Sequence, residues 1–282
     1  MRILVFLHGT ILMHSTGAGK TRQERVRQVV EEDQSVSQYE SYIPIGNAVE
    51  KLRGWQRQGA EIAYLSSRRG NEEIEIDRSV LRRFGFPEGE IHFRKTGEEY
   101  VDVVARVMPD LLIEDDCESI GGGKEMTSRH LQDKAKEKID VIVVKEFGGI
   151  DHLPDSCEEF QRYCSSFHGL LLKESLRDVT ILGRFQIERE EQWNASRVTD
   201  EQPKQWTAVF FGGNATDANR IAETLSESLK ERGWYANLST STEEFVIFPY
   251  RVFRYRKGDV QAVRNARTYG KSLGIPEHQL NW

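Results

Sequence analysis

The chain has 282 residues, of which 38% are hydrophobic, 30% charged and 10% aromatic, and its formal charge is −6. That composition is too apolar for a disordered tail, the length exceeds one minimal domain, and collagen, coiled coil and low-complexity polymers are excluded. No apolar run approaches the roughly 20 residues needed to cross a bilayer. The start MRILVFLHGT has neither a basic lead nor a small-residue cleavage site, so a soluble, cytoplasmic protein is expected. Cys117, Cys157 and Cys164 lack CxxC spacing and support neither a disulfide framework nor a zinc site. The charge is uneven: residues 203–282 carry 11 Lys+Arg against 8 Asp+Glu, whereas the first 202 residues carry 28 against 37. An acidic front and a mildly basic back suggest two units, but an excess of this size does not by itself imply nucleic-acid binding.

In chain order, Met1 to Leu7 is an apolar run of the kind that forms a strand buried on both faces. A polar loop from His8 to Lys20 follows, and Thr21-Arg-Gln-Glu24 has capping-box spacing, so a helix is predicted from there. Further helices are predicted over about 47–58, 72–84 and 98–108, alternating with strands over 61–65, 91–93, 111–113 and 139–144. Strands alternating with helical crossovers predict an α/β domain with a Rossmann-type parallel sheet over residues 1–154. Residues 155–203 are read as a helical and linker segment: a helix over 155–173, then a polar linker over 189–203. Over 204–282 the predicted strands at 206–211, 234–238, 245–248 and 252–255, with helices near 216–232 and 260–273, give a smaller α+β domain, ferredoxin-like in outline.

In an open parallel sheet, ligands gather beyond the carboxyl ends of the strands, where loops and helix starts direct amide donors into one crevice. The segments that follow the predicted strands are His8-Gly9-Thr10, Ser66-Ser67-Arg68-Arg69, Arg94-Lys95 and the acidic Glu114-Asp115-Asp116. Hydroxyls, cations and paired carboxylates on one rim suit a phosphate group, with or without a divalent metal.

That ordered set resembles the haloacid dehalogenase (HAD) superfamily over about residues 1–150. Val5-Phe-Leu-His-Gly-Thr-Ile-Leu12 resembles its strand ending in DxDGT, and Tyr64-Leu-Ser-Ser67 its strand ending in Ser or Thr. Lys95 stands near the family lysine, and Pro109-Asp-Leu-Leu-Ile-Glu-Asp-Asp116 resembles its late strand ending in paired acids. With no large insertion at the usual cap positions, the resemblance implies a capless or nearly capless domain. It also implies a phosphatase-like or phosphotransferase-like hydrolase, with Gly9, Thr10, Ser66, Ser67, Arg68 and Lys95 at the substrate and Asp115 and Asp116 toward Mg2+. The departure lies in the first motif. Phe6 stands in the slot of the nucleophilic aspartate and His8 in that of the general acid, and a phenyl ring neither forms an aspartyl-phosphate nor ligates magnesium.

Two readings follow. In the enzymatic one, His8 acts as acid, base or nucleophile with Asp115 or Asp116 opposite, and His14 lies in the same loop beside the phosphorylated small molecule or nucleotide. In the other, the rim keeps phosphate affinity through Thr10, Ser66, Lys95 and backbone amides but has lost turnover; the alternative to both is a non-catalytic regulatory scaffold whose basic ribbon at Arg254, Arg256 and Lys257 contacts a partner or nucleic acid. Each residue also has a purely structural use: His8 as half of a satisfied polar pair, His14 as a surface residue, Ser66 and Ser67 as helix caps. Gly121-Gly-Gly123 lacks the Lys-Ser/Thr of a P-loop, and Asp151-His152 is a weaker candidate for closing the crevice. Trp234-Tyr235 and the ending Gly274 to Trp282 resemble uncharacterised bacterial proteins, which implies no activity. Trp282 is expected to pack back on its own domain.

Overall fold

The amino-terminal apolar run is the middle strand of a parallel sheet. In the computed structural model, which describes residues 1–195, 197–199, 202–280 and 282, the chain divides into two compact units, Met1–Gln161 and Arg162–Trp282. The architecture is mixed α/β, with a parallel central sheet in the first unit and a separate antiparallel sheet in the second.

In the first unit, strands β1 (Arg2–Phe6), β4 (Glu61–Leu65), β5 (Ile91–His92), β6 (Leu111–Asp115) and β7 (Asp140–Val144) are ordered β5-β4-β1-β6-β7 and pair in parallel throughout. Ile3, Leu4 and Val5 are fully buried because both faces of β1 are covered, which accounts for the unbroken apolar run. The register sets Phe6 beside Leu65, and Val5 beside both Tyr64 and Ile113. Helices α2 (Ala48–Arg57), α3 (Asn71–Phe84) and α4 (Tyr100–Val107) lie in the crossovers, and the short α5 (Asp133–Lys136) lies between β6 and β7. Helix α3 stops where Gly85 adopts a left-handed φ of 71°. The predicted capping box is present: Thr21 accepts from the Glu24 amide and opens α1 (Arg22–Val30).

Residues 8–20 are not an open loop. The chain turns back through β2 (Leu12–Met13), passes through α1 and pairs again through β3 (Ile43–Pro44), an ordered excursion between β1 and α2. Met13, Val26, Ile45 and Phe147 close a small core beneath it.

The second unit departs from the predicted boundaries. The helix expected over 155–173 is only α6 (Phe160–Cys164), after which Ser166–Leu172 is strand β8. Phe167, Gly169 and Leu171 point to one buried face, a period of two that a short apolar run does not distinguish from a helical one. The expected linker supplies β9 (Gln186–Asn194), and Ser196, Asp200 and Glu201 of that stretch lie outside the described residues. Strand β9 is almost wholly exposed and highly charged, so its own sequence lacks the alternation of a half-buried strand; its extended form comes from pairing with β10 (Gln205–Asn214).

With β11 (Ala236–Ser239), β12 (Glu243–Phe248) and β13 (Arg251–Arg256), the antiparallel order is β13-β12-β11-β8-β10-β9. The unit is therefore α+β: among the described residues its sheet has six strands, and helices lie on both faces. Helix α7 (Ala218–Ser228) packs on the face of Phe245 and Ile247, and α8 (Val260–Ser272) on that of Val246 and Phe248. Trp282 joins the α8 side, stacked on Tyr235 with ring centroids 5.4 Å apart. Among the described residues, no helix is long and apolar enough to cross a membrane.

Candidate functional site

Beyond β1 the chain builds outward through β4 to β5, then returns to the other side of β1 for β6 and β7. Loops that leave neighbouring strands in opposite directions open a crevice at their carboxyl ends. His8-Gly9-Thr10 leaves β1 at this edge, with Ser66-Ser67-Arg68 beside it from β4 and Asp115-Asp116 beside it from β6. The Leu7 amide donates to the Leu65 carbonyl at 3.0 Å, which sets His8 next to the two serines.

Three residues form one hydrogen-bonded chain on the β4 side. His8 Nε2 lies 3.1 Å from Asp77 Oδ1, and His8 Nδ1 lies 2.9 Å from Ser67 Oγ. The second oxygen of Asp77 accepts from Ser66 Oγ at 2.6 Å, and Ser66 Oγ accepts the Arg68 amide at 3.0 Å. Burial favours a protonated Asp77, but the hydrogen bond and charge of His8, the Ser66 hydroxyl and the Arg68 guanidinium outweigh it and hold the carboxyl below its usual range. In the tautomer that donates Nε2–H to Asp77, the Nδ1 lone pair faces the Ser67 hydroxyl. Exposure rises along this chain, with Asp77 at 2%, the His8 side chain at 13% and Ser67 exposed to solvent. Tyr42 meets the His8 ring edge-on at 5.5 Å, and the Arg68 guanidinium lies 3.0 Å from the centroid of the Tyr39 ring.

The β6 side is acidic and internally compensated. Thr10 Oγ1 donates to Asp115 Oδ2 at 2.7 Å, and the Cys117 amide donates to Asp115 Oδ1 at 3.0 Å. Gly9 lies against this carboxylate with φ at 83°, and a Cβ there would sit 2.9 Å from Asp115 Oδ2. Asp116 accepts the Glu146 amide at 3.0 Å and pairs with Lys145 at 3.3 Å. Glu114 points away and accepts the amides of Thr127 and Ser128, both at 2.9 Å. Burial, then the charges of Glu146 and Asp116, push Asp115 well above the ordinary carboxyl range despite its two hydrogen bonds. Burial, ahead of the charges of Asp116 and Glu118, raises Glu146 to about 7 although Ser119 donates to it twice.

Magnesium requires near-octahedral oxygen ligation, and these residues do not fit it. The oxygens of Asp115 and Asp116 are engaged by hydroxyl, amide and ammonium groups, and Lys145 already supplies the countercharge. Among the described residues, no group of three or more His, Cys, Asp or Glu is arranged to hold a metal ion. The Phe6 ring lies edge-on to Tyr100 at 5.1 Å and packs against the core beside α4.

The predicted site residues therefore separate. His8, Ser66, Ser67 and Arg68 meet in one network, while Gly9 and Thr10 meet Asp115 in a second. Ser66 is fully buried with its hydroxyl in use, so Ser67 is the serine open to a ligand. His14 is also fully buried, with Nε2 on Gln28 Oε1 at 3.0 Å and its ring against Phe147, so a ligand at the edge does not reach it. Asp116 is buried and held by the Glu146 amide and Lys145. The Lys95 side chain is exposed, and its amide caps a turn on Glu98. Arg94 is the cation that stacks over Tyr100, at 3.8 Å. Asp151 accepts the Asn47 amide at 2.8 Å and anchors the start of α2.

In the second unit, Arg254 makes two hydrogen bonds to Glu243, and Lys257 lies 4.0 Å from Glu244, so acids of β12 offset much of the expected basic ribbon. Two residues with a part in the site were not among those expected, Asp77 and Glu146. Asp77 had a legible signal: a carboxylate on the otherwise apolar stripe Ile74, Val80 and Leu81 of α3 needs a buried partner.

No family model matches the chain, and no curated protein matches it. Among solved structures, it is similar to a chain of the Pnkp1/Rnl/Hen1 complex at 13% identity and a TM-score of 0.33, over 51% of this chain and 45% of that one. The chain thus spans less than half the length of that structure. It is also similar to the class C acid phosphatase from Bacillus anthracis, solved with tungstate bound, at 16% identity and a TM-score of 0.35, over 57% of this chain and 76% of that one. Likenesses of this size fix neither family nor activity.

Proposed function

We propose that the first unit is a divergent HAD-like domain that binds a phosphate group of a small molecule or nucleotide at the carboxyl edge of β1 and β4. Hydrolysis or transfer there proceeds without an aspartate nucleophile. The observation that carries this reading is the hydrogen-bonded pair of His8 and Ser67 beyond the ends of β1 and β4, open to solvent at Ser67, backed by buried Asp77 and flanked by Arg68 of the same loop. Arg68 supplies the planar donor group suited to a phosphate, and the Ser67 hydroxyl is both donor and acceptor. His8 stands where a proton must be taken up or returned. Phe6 supports the loss of the aspartate route, because its ring belongs to the core on the α4 side and brings no carboxylate to the edge.

Thermal denaturation with inorganic phosphate, vanadate and tungstate tests this. A ligand at 100 times its Kd stabilises by about 2.7 kcal/mol, a rise in Tm of roughly 5 to 10 °C for a unit of this size. Arg68→Ala removes that rise. No shift with any of the three oxyanions would defeat the reading.

A further inference from the structure

We propose that Ser67 is a catalytic nucleophile, with His8 as its general base and Asp77 as the residue that positions His8. The substrate class, a phosphate ester, rests on the phosphate-binding reading above, whereas the nucleophile itself rests on the geometry alone. Ser67 Oγ stands 2.9 Å from His8 Nδ1, and His8 Nε2 stands 3.1 Å from Asp77 Oδ1. Both distances lie within the reach that proton transfer and tautomer selection require. The carboxylate is fixed from its far side by Ser66 Oγ, which is held in turn by the Arg68 amide, so the base cannot swing without breaking a buried network. A purely structural cluster has no need of an open end, but here the chain begins at a buried acid and finishes at a solvent-exposed hydroxyl. Serine hydroxyls become effective nucleophiles in that arrangement, with base and orienting carboxylate in line.

The step balances without a metal. Ser67 Oγ forms a bond to phosphorus as its proton passes to His8 Nδ1. The ester oxygen–phosphorus bond breaks, and the leaving alkoxide takes that proton from Nδ1, so phosphoserine and an alcohol result. Water then attacks the phosphorus and gives a proton to Nδ1, and the serine oxygen departs with it, releasing phosphate and restoring the free enzyme. Throughout, the Nε2 proton stays hydrogen-bonded to Asp77, which offsets the charge that forms on the imidazole.

The test uses a fluorophosphonate, an organophosphorus probe that loses fluoride to an activated hydroxyl, on the full chain, with the modified residue located by peptide mass spectrometry. The expected result is labelling at Ser67, none in Ser67→Ala, and a rate about 10²- to 10⁴-fold lower in His8→Ala. Asp77→Asn offers an amide in place of the acceptor for Nε2, so it slows labelling and changes the pH profile of what remains, which a loss of packing alone would not do. Circular dichroism and melting curves establish that the variants fold, and Ser67→Ala, at an exposed position, is the variant least exposed to misfolding. Labelling at any other residue, no labelling of the folded wild type, or equal rates in wild type and His8→Ala would overturn the assignment. Absence of labelling together with an oxyanion shift in the wild type defeats the nucleophile and leaves phosphate binding standing. Labelling at Ser67 with no oxyanion shift supports the nucleophile and removes phosphate esters as its substrate.

Discussion

Glu146 gives the sharpest physical test of the site, because its proton affinity couples the acidic patch to stability. Folding moves this carboxyl from its ordinary value of 4.5 to about 7, chiefly through burial and then through Asp116 and Glu118. A raised folded-state value means that the native state binds the proton more tightly than the unfolded chain does. The associated stability is fully present below about 4.5, declines as pH rises, and is gone above about 7. At 1.36 kcal/mol per pKa unit, the displacement corresponds to about 3 kcal/mol between pH 4.5 and 8. Glu146→Gln reproduces the protonated acid. Its carbonyl accepts the Ser119 amide and its NH2 donates to the Ser119 hydroxyl, in place of the carboxylate's present contacts at 2.7 and 2.6 Å. The variant should therefore melt higher than wild type at pH 8, by roughly 6 to 12 °C for a unit of this size, and the two curves should converge as pH falls toward 4.5. Scanning calorimetry across that range reads the difference directly. A variant that is no more stable at pH 8, or a gain of the same size at pH 5, would refute the account of a buried, mutually repelling acid pair.

Three further outcomes follow from the same geometry. Gly9→Ala places a Cβ 2.9 Å from Asp115 Oδ2 at a φ of 83°, so it should cost about 1–3 kcal/mol, read as a lower denaturant midpoint at unchanged slope. Magnesium at millimolar concentration should leave the melting temperature at pH 8 unchanged; a rise that disappears in Asp116→Asn would show that the acids hold a cation after all. On a panel of phosphate esters, His8→Ala should lower turnover by about 10²- to 10⁴-fold, and Arg68→Ala should raise KM more than it lowers kcat. Equal turnover in wild type and His8→Ala would place the chemistry elsewhere.

The parallel sheet was legible because its signals are local: the run Ile3 to Leu7, the capping box at Thr21 and the stop at Gly85 each name a conformation within a few residues. The edge carrying His8, Ser67 and Arg68 followed from that topology, since residues after parallel strands share one rim. Which residues touch there was not legible. Ser66 and Ser67 are adjacent in sequence, yet alternation past the strand end buries one and exposes the other. In the second unit the failure has a different cause. Strand β9 carries Glu188, Arg189, Glu190 and Glu191 on an exposed edge, so its conformation is fixed by its neighbour β10 and not by its own composition.

Phe6 and His8, on either side of the end of β1, account together for features that look unrelated. Phe6 brings no carboxylate to the end of β1, and the carboxylates that end the buried strand β6 are offset from within the protein. Lys145 on Asp116, Thr10 on Asp115 and the raised proton affinities of Asp115 and Glu146 are those offsets. His8 faces β4, where it meets buried Asp77 and the exposed hydroxyl of Ser67. The β6 side is thus satisfied internally, while the β4 side keeps an exposed hydroxyl beside an imidazole. Phe6→Asp would put a carboxylate against the apolar core beside α4, where Phe6 packs on Tyr100, so it should destabilise the unit at pH 8 and confer no magnesium dependence. A magnesium-dependent phosphatase obtained from that single change would show that the acids of β6 are still arranged for a metal, and that the internal offsets described above are incidental.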